Sequence, residues 1–468
     1  MTSYDYDMVV IGSGPAGQHA AIQASKLAGR VAVIERLPDV GGIDLSAGTP
    51  AKTLREAAMH LTGYRERNVY GSSYVVNQNV SMSDLLVRTN YVMEHQAQMQ
   101  RAQLARNRLE MITAEASFVD RHCLKLSGNT DEPDRTITAE KIVIAVGTFS
   151  TPPPVVQPDG RLILVSDDVL TLPDVPRTLT VVGAGAIGLE HASTFAALGT
   201  RVTIVDRGNR LLPFADDEVA ESLTYQLRQH GVTLRQNETV FDIEYVIGES
   251  EPRVRVMLES GKQIVSHAVM YCVGRTGNTE SLNLEAAGLE ADERGRLGVD
   301  GNYETGVSGI YAVGGVIGFP DLVSTSQLQG RIAACHAFGV PVEDYSQLFP
   351  YAVYTIPEIA MVGKTESELT DEGVAYEVGK TSYRESVRSI VMGDVWDGFL
   401  KLLFEIESRK LLGVHIIGEG ASEMIHLGQA VIAHGGTVDY LTESVIGHPT
   451  FAQCYAAAAL DGIDRLGL

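Results

Sequence analysis

One glycine signature occurs twice in this chain, each time at the same distance from an acidic residue. GSGPAG, residues 12–17, follows the strand-like run YDMVVI and opens the alanine-rich helical stretch QHAAIQASKLAG; a second strand, RVAVIE, then ends at Glu35. GAGAIG, residues 183–188, follows TLTVV, opens LEHASTFAALG and leads into RVTIVD, which ends at Asp206. Glu35 and Asp206 each lie 23 positions beyond the first glycine of their set. Strand, tight turn, helix, strand is the order of a dinucleotide fold, and each glycine meets a separate need in it. Gly12 and Gly183 permit the turn. Gly14 and Gly185 let a pyrophosphate approach the backbone. Gly17 and Gly188 let helix and strand pack closely. The phosphates would rest on helix N-terminal amides, and the acidic residue would accept hydrogen bonds from a ribose.

Two dinucleotides on one chain suggest a flavin plus a nicotinamide, because a hydride needs a donor and an acceptor. At the second signature the nicotinamide type stays open. Asp206 favours the unphosphorylated ribose of NAD, whereas Arg207 and Arg210 could attract the 2'-phosphate of NADP.

The chain has 468 residues, enough for two to four domains, and a formal net charge of -22. That charge argues against nucleic acid as a main partner. The N-terminal stretch MTSYDYDMVVIGSG has no basic segment before an apolar run, so no secretory signal is expected. No apolar stretch is long enough to span a membrane. Cys123, Cys272, Cys335 and Cys454 form neither a CxxC pair nor a zinc-like cluster. Separate packed thiols and no metal are expected, in keeping with a cytoplasmic location.

Between and beyond the signatures, residues 82–107 show helical spacing. KIVIAVGTFSTPPP reads as a strand, a glycine turn and a proline-rich crossover, and VRVMLESGKQIV as a hairpin. IYAVGGVIG, residues 310–318, reads as a buried strand entering a glycine turn that closes the first sheet. The last part, with FLKLLFEIES, KLLGVHIIG and SEMIHLGQAVIAHG, reads as a separate α+β tail.

GSGPAG, GAGAIGLE, GRTGNT (274–279), YAVGG (311–315), YTIPEIAMVGKTE (354–366) and GHPTFAQCYAAAALDG (447–462) together resemble the flavoprotein disulfide reductase family over nearly the whole chain. Within it the chain is most similar to the branch of soluble pyridine nucleotide transhydrogenases, which lack the redox cysteine pair. The resemblance implies an α/β fold with two Rossmann-like domains for FAD and NAD(P), and a C-terminal α+β dimerisation domain. The implied boundaries are 1–154 and 276–349 for the FAD domain, 155–275 for the NAD(P) domain and 350–468 for the dimerisation domain. It implies FAD, NAD and NADP as cofactors, a homodimer, and hydride transfer between nicotinamide dinucleotides. NAD(P)H oxidase or diaphorase activity, or a non-catalytic nucleotide-binding homodimer, are the alternatives.

The resemblance also assigns residues. Gly12, Gly14, Gly17, Glu35, Arg36, Gly42, Gly147 and Gly315 fall in the flavin site, Gly183, Gly185, Gly188, Asp206 and Arg207 in the nicotinamide site, and Gly274 is a further cofactor-binding position. Lys52 matches the lysine beside the flavin, Glu190 its carboxylate partner, and His448 the C-terminal acid/base histidine. His191 and His426 read instead as packing or solvated histidines. Four departures stand out. Asp44 and Thr49 occupy the two cysteine positions. GTPAK is one residue shorter than the family's loop. Gln453 replaces the glutamate that supports the histidine. Gly315 replaces an aspartate that hydrogen-bonds the flavin's ribityl chain, a change equivalent to about 1.5–3 kcal/mol of binding.

Overall fold

The structure is a computed structural model that describes residues 4–27, 29–42, 48–71, 79–128, 134–246, 251–342, 348–393 and 398–467. Its contacts divide the chain into two compact units, one of residues 1–53, 87–151 and 274–345, the other of residues 54–86, 152–273 and 346–468.

The first unit is built on a parallel sheet ordered Glu110–Thr113, Val31–Glu35, Tyr6–Ile11, Arg135–Ile144 and Ile310–Ala312. All five residues of Val31–Glu35 are buried, as a parallel strand covered on both faces requires. Arg135–Ile144 serves two sheets. Its second half joins the parallel sheet, and its first half pairs antiparallel with Cys123–Ser127, which in turn pairs with Glu115–Asp120. The helix Pro15–Leu27 lies against the helix Val323–Ala337 so closely that a Cβ on Gly330 would stand 2.1 Å from the Ala16 carbonyl oxygen. The strand in YAVGG therefore closes the first sheet, as its sequence suggested, and Gly330 locks the following helix to the helix that opens the first signature.

The second unit contains its own parallel sheet, ordered Thr233–Arg235, Arg201–Val205, Thr178–Val182, Ala268–Tyr271 and Ile163–Val165. Arg253–Leu258 and Gln263–Ser266 form the expected hairpin, with Val240–Val246 as a third antiparallel strand. The tail is mixed α/β. Its five-stranded antiparallel sheet runs Tyr351–Val353, Ile359–Gly363, Leu411–Ile417, Phe399–Glu405, Tyr376–Ser382, with the helices Ala421–Ala433 and Gln453–Arg465 packed on it. Among the described residues no helix is long and apolar enough to cross a membrane.

Candidate functional site

The first signature forms a cradle at the C-terminal end of Tyr6–Ile11. Gly12 has φ 103°, and a Cβ there would sit 2.3 Å from the Ala145 carbonyl oxygen. A Cβ on Gly17 would sit 1.9 Å from the Gly12 carbonyl oxygen. Both positions exclude every side chain on protein contacts alone. Gly14 differs, because its Cβ would meet nothing nearer than the Gly41 oxygen at 4.0 Å. Nothing in the packing calls for glycine there, so the open space in front of the helix N-terminus suits an approaching phosphate. Glu35 is buried beside it. Its Oε2 accepts from Ser13 N at 2.9 Å and Ser13 Oγ at 2.6 Å, and its Oε1 accepts from Leu37 N at 3.1 Å. Arg36 is exposed next to it. Gly42, at φ 53°, brings its turn over the cradle, where its Cβ would lie 3.2 Å from Gly14 Cα.

The second signature repeats this geometry residue for residue. Gly183 has φ 102° and an ideal Cβ 2.4 Å from the Cys272 oxygen, while that of Gly188 lies 2.1 Å from the Gly183 oxygen. Gly185 again faces open space, with no heavy atom within 4 Å of its ideal Cβ. Its φ of -73° and ψ of 176° suit any residue. Asp206 Oδ2 accepts from Ala184 N at 2.7 Å and Oδ1 from Gly208 N at 2.6 Å. These are the same chain offsets by which Glu35 holds Ser13 and Leu37. Each acidic residue thus braces its own glycine turn. The residues of both cradles fit a dinucleotide pyrophosphate. Beyond Asp206 the two arginines part company. Arg207 is exposed, whereas Arg210 is tied down by Asp217 and by the Ala215 carbonyl oxygen at 2.6 Å.

Three further turns gather at the end of the first sheet. Gly147 has φ 65° and an open face. Gly274, at φ 132°, leads into Arg275–Gly277, which pairs with Thr148–Ser150. Arg275 grips that strand, donating to Thr148 Oγ1 at 2.8 Å, Thr148 O at 2.9 Å and Ser150 Oγ at 3.1 Å. Gly314 N donates to Gln329 Oε1 at 2.8 Å, and a Cβ on Gly314 would come 3.0 Å from Ala16 Cβ. The Gly314–Gly315 turn therefore lies against the first turn of the phosphate-facing helix.

Thr49 opens the helix Thr49–Thr62, with Pro50 in its first turn, where its missing N–H costs nothing. Lys52 is half-buried in that same turn. Asp44 lies outside the described residues. Lys52 belongs to the first unit and Glu190 to the second. Glu190 is buried and accepts from Tyr354 N at 2.9 Å, which fixes its carboxylate on the helix Ala186–Ala197. His448 is exposed, and its Nδ1 pairs with Gln453 Oε1 at 2.8 Å. The amide oxygen only accepts, so Nδ1 is the donor of this pair. Gln453 orients the ring as its sequence position suggested, without a charge to favour imidazolium. His191 is buried on its helix, and His426 is exposed beside Gln429.

All four cysteines are free. Burial pushes the Cys454 thiol up to about 11, so thiolate is scarce at neutral pH. Among the described residues one group, Asp216, Glu218 and Glu366, has metal-ligand spacing. The Lys401 ammonium already fills its centre, 2.9 Å from Asp216 Oδ1 and 3.0 Å from Glu218 Oε2.

Sequence reasoning missed several of these side chains. Buried Arg55, one turn after Lys52, reaches Glu358 at 3.3 Å and the Thr355 oxygen at 3.1 Å. Lys401 left a readable trace, a lysine inside the apolar run FLKLLFE.

Comparison with known proteins agrees with this geometry. Residues 6–330 match the family model for pyridine nucleotide-disulphide oxidoreductases, and residues 349–459 the model for the dimerisation domain of that family. A soluble pyridine nucleotide transhydrogenase of Mycobacterium bovis is 46% identical over 463 residues, covering 99% of this chain and 98% of the relative. One from Marinomonas sp. is 39% identical over 470 residues, covering 100% of both. Among solved structures, LpdA from Mycobacterium tuberculosis superimposes with a TM-score of 0.87 at 27% identity, covering 97% of this chain and 99% of that one. The HOCl-induced flavoprotein disulfide reductase RclA from Escherichia coli gives 0.85 at 28% identity, with coverage of 97% and 99%.

Proposed function

This chain belongs to the pyridine nucleotide-disulphide oxidoreductase family, and from that premise we propose that it is an FAD-dependent transhydrogenase moving a hydride between NADPH/NADP and NADH/NAD. The observation that carries this is the duplicated cradle, in which Gly14 and Gly185 each leave a space that only a ligand needs. Bound FAD would supply the redox chemistry, taking the hydride from one nicotinamide and passing it to another.

The chain's own residues divide the remaining work. Gly12, Gly14, Gly17, Glu35, Arg36, Gly42, Gly147 and the turn at Gly315 hold FAD, within 1–154 and 276–349, and Gly274 is a further cofactor-binding position. Gly183, Gly185, Gly188, Asp206 and Arg207 hold the nicotinamide dinucleotide, within 155–275. Residues 350–468 make a homodimer. Lys52 stabilises developing negative charge at the flavin, and Glu190, fixed by Tyr354 N, is a further catalytic residue. His448, held by Gln453, shapes the nicotinamide pocket. Four free thiols, two of them with raised pKa values, offer no dithiol relay. The test is direct. Purified protein should carry noncovalent FAD and catalyse anaerobic transfer from NADPH to thio-NAD. Protein without flavin even after incubation with excess FAD, or NADPH oxidation that proceeds only with oxygen, would defeat this assignment.

Nicotinamide choice rests on Arg207, since Arg210 is held by Asp217 and the Ala215 carbonyl. Arg207→Ala is expected to raise the Kd for NADPH roughly tenfold or more, the loss of one charge-assisted contact, and to leave NADH nearly unchanged. Arg210→Ala should affect both nucleotides alike. Binding titrations of the two variants with both nucleotides decide, and equal losses in Arg207→Ala would remove that residue from the selectivity account.

A further inference from the structure

Gly315 lacks the carboxylate expected beside the ribityl chain, yet the place is not without one. A Cβ built on Gly315 would stand 2.6 Å from Asp321 Oδ1 and 3.2 Å from Thr148 Cγ2. The carboxyl of Asp321 has thus moved into the space that a side chain at position 315 would start from. Asp321 comes from the next loop, just before the helix Val323–Ala337, and its φ of 43° lies in the left-handed region. It has no hydrogen-bond or ion-pair partner among the described residues. It is open to solvent, yet burial raises its pKa despite the opposing charges of Arg275 and Arg296.

The location specifies what that carboxylate would meet. Gly314, next to Gly315, packs on Ala16 in the first turn of the phosphate-facing helix. Gly315 itself follows Ile310–Ala312, whose parallel partner Arg135–Ile144 leads into the open turn at Gly147. Ligands of open α/β sheets lie beyond the C-terminal ends of the strands. A carboxylate there, beside the pyrophosphate cradle, faces the part of a dinucleotide that carries hydroxyl donors. We propose that Asp321 supplies the carboxylate that Gly315 lacks and accepts hydrogen bonds from the hydroxyls of the flavin's sugar-alcohol chain. This rests on FAD being the ligand of the first unit. A Cβ at 315 conflicts with the present position of the Asp321 carboxyl, so an aspartate added at 315 turns Asp321 aside and sets two negative groups together.

The experiment measures the Kd for FAD and for ADP on apoprotein, by fluorescence quenching and equilibrium dialysis, alongside the melting temperature of each apo form. Failure of the parent protein to bind FAD would sink the proposed function, a result separate from every outcome below. Asp321→Ala should raise the Kd for FAD roughly ten- to a hundredfold, leave ADP binding unchanged and keep the apo melting temperature. Asp321→Asn, which keeps an acceptor oxygen, should lose less. Gly315→Asp alone should weaken FAD binding, while the double variant Gly315→Asp, Asp321→Ala should recover most of the affinity, the non-additivity expected of two groups sharing one place. Unchanged FAD affinity in Asp321→Ala overturns the proposal. So do equal losses for FAD and ADP, or a fall in apo stability that accounts for the loss, since Asp321 would then serve the pyrophosphate loop or the Arg275–Arg296 region.

Discussion

Lys401→Met is expected to lower folding stability by about 3–5 kcal/mol, seen as a reduced midpoint in chemical denaturation. Lys401 is 0% exposed on the central strand Phe399–Glu405, and its Nζ meets Asp216 at 2.9 and 3.1 Å, Glu218 at 3.0 Å, and Glu366. Burial opposes the lysine charge, but the hydrogen bonds to Glu366 and Asp216 outweigh it and raise the pKa. Methionine fills the volume and leaves three carboxylates around an apolar side chain. The cost comes chiefly from Asp216, the buried one of the three, since Glu218 keeps Lys380 at 3.0 Å and Glu366 is partly exposed, so pairing Lys401→Met with Asp216→Asn should recover part of it. A loss below about 1 kcal/mol, the range of a surface ion pair, would show that the cluster is open to water.

The same cluster sets an acid limit. His415 lies beside it, buried, with Nε2 donating to the Lys364 oxygen at 2.8 Å and Nδ1 lacking a partner among the described residues. Burial lowers its pKa below 6.5, so the ring is neutral when folded. Burial opposes the charge on Asp216, which His415 and Lys401 nonetheless hold below 3.8; with His415 neutral, Lys401 carries that attraction. As pH falls below about 6.5 the unfolded chain takes up the His415 proton first, and stability declines until the folded pKa is passed. Asp216 adds the same sign below about 3.8. His415→Gln should flatten the decline that begins near 6.5 and leave the lower one in place.

Gly185→Val is expected to cut kcat/KM for NADH and NADPH by at least about a hundredfold while leaving the melting temperature close to that of the parent. No heavy atom lies within 4 Å of the new Cβ, and the backbone there suits any residue. The side chain obstructs only the ligand. Gly188→Ala, three residues on, should behave in the opposite way. Its Cβ would sit 2.1 Å from the Gly183 oxygen, so it destabilises the fold before it affects binding. Flavin content should survive Gly185→Val, since the first cradle is untouched. If both variants lose stability equally, the open face of Gly185 is not a ligand space.

These contrasts show what the sequence could and could not convey. The two cradles were legible because every requirement was local: three glycines, an apolar strand before them and an acidic residue at the end of the next strand. The closing strand in YAVGG was legible for the same reason, as a buried run entering a glycine turn. The hydrogen bonds that Glu35 accepts from Ser13 and Leu37, and Asp206 from Ala184 and Gly208, were hidden, since a spacing says nothing about which oxygen meets which amide. Arg207 and Arg210 looked equivalent in sequence, but only the fold brings Asp217 and the Ala215 carbonyl to Arg210. Gly315 read as a simple loss. The compensating carboxylate lies six residues away on a loop whose path no local pattern specifies.

The central claim is hydride transfer between nicotinamides on FAD without a thiol. Replacing Cys123, Cys272, Cys335 and Cys454 by serine and following the flavin absorbance in anaerobic stopped flow tests it most directly. Flavin content and folding must be checked first, because Cys454 is buried in the tail's core. NADPH should bleach the flavin band and NAD should restore it, at rates comparable to the parent protein. A variant that is folded and keeps its FAD, yet whose band no longer responds to either nucleotide, would contradict the account and place a cysteine in the path of the electrons.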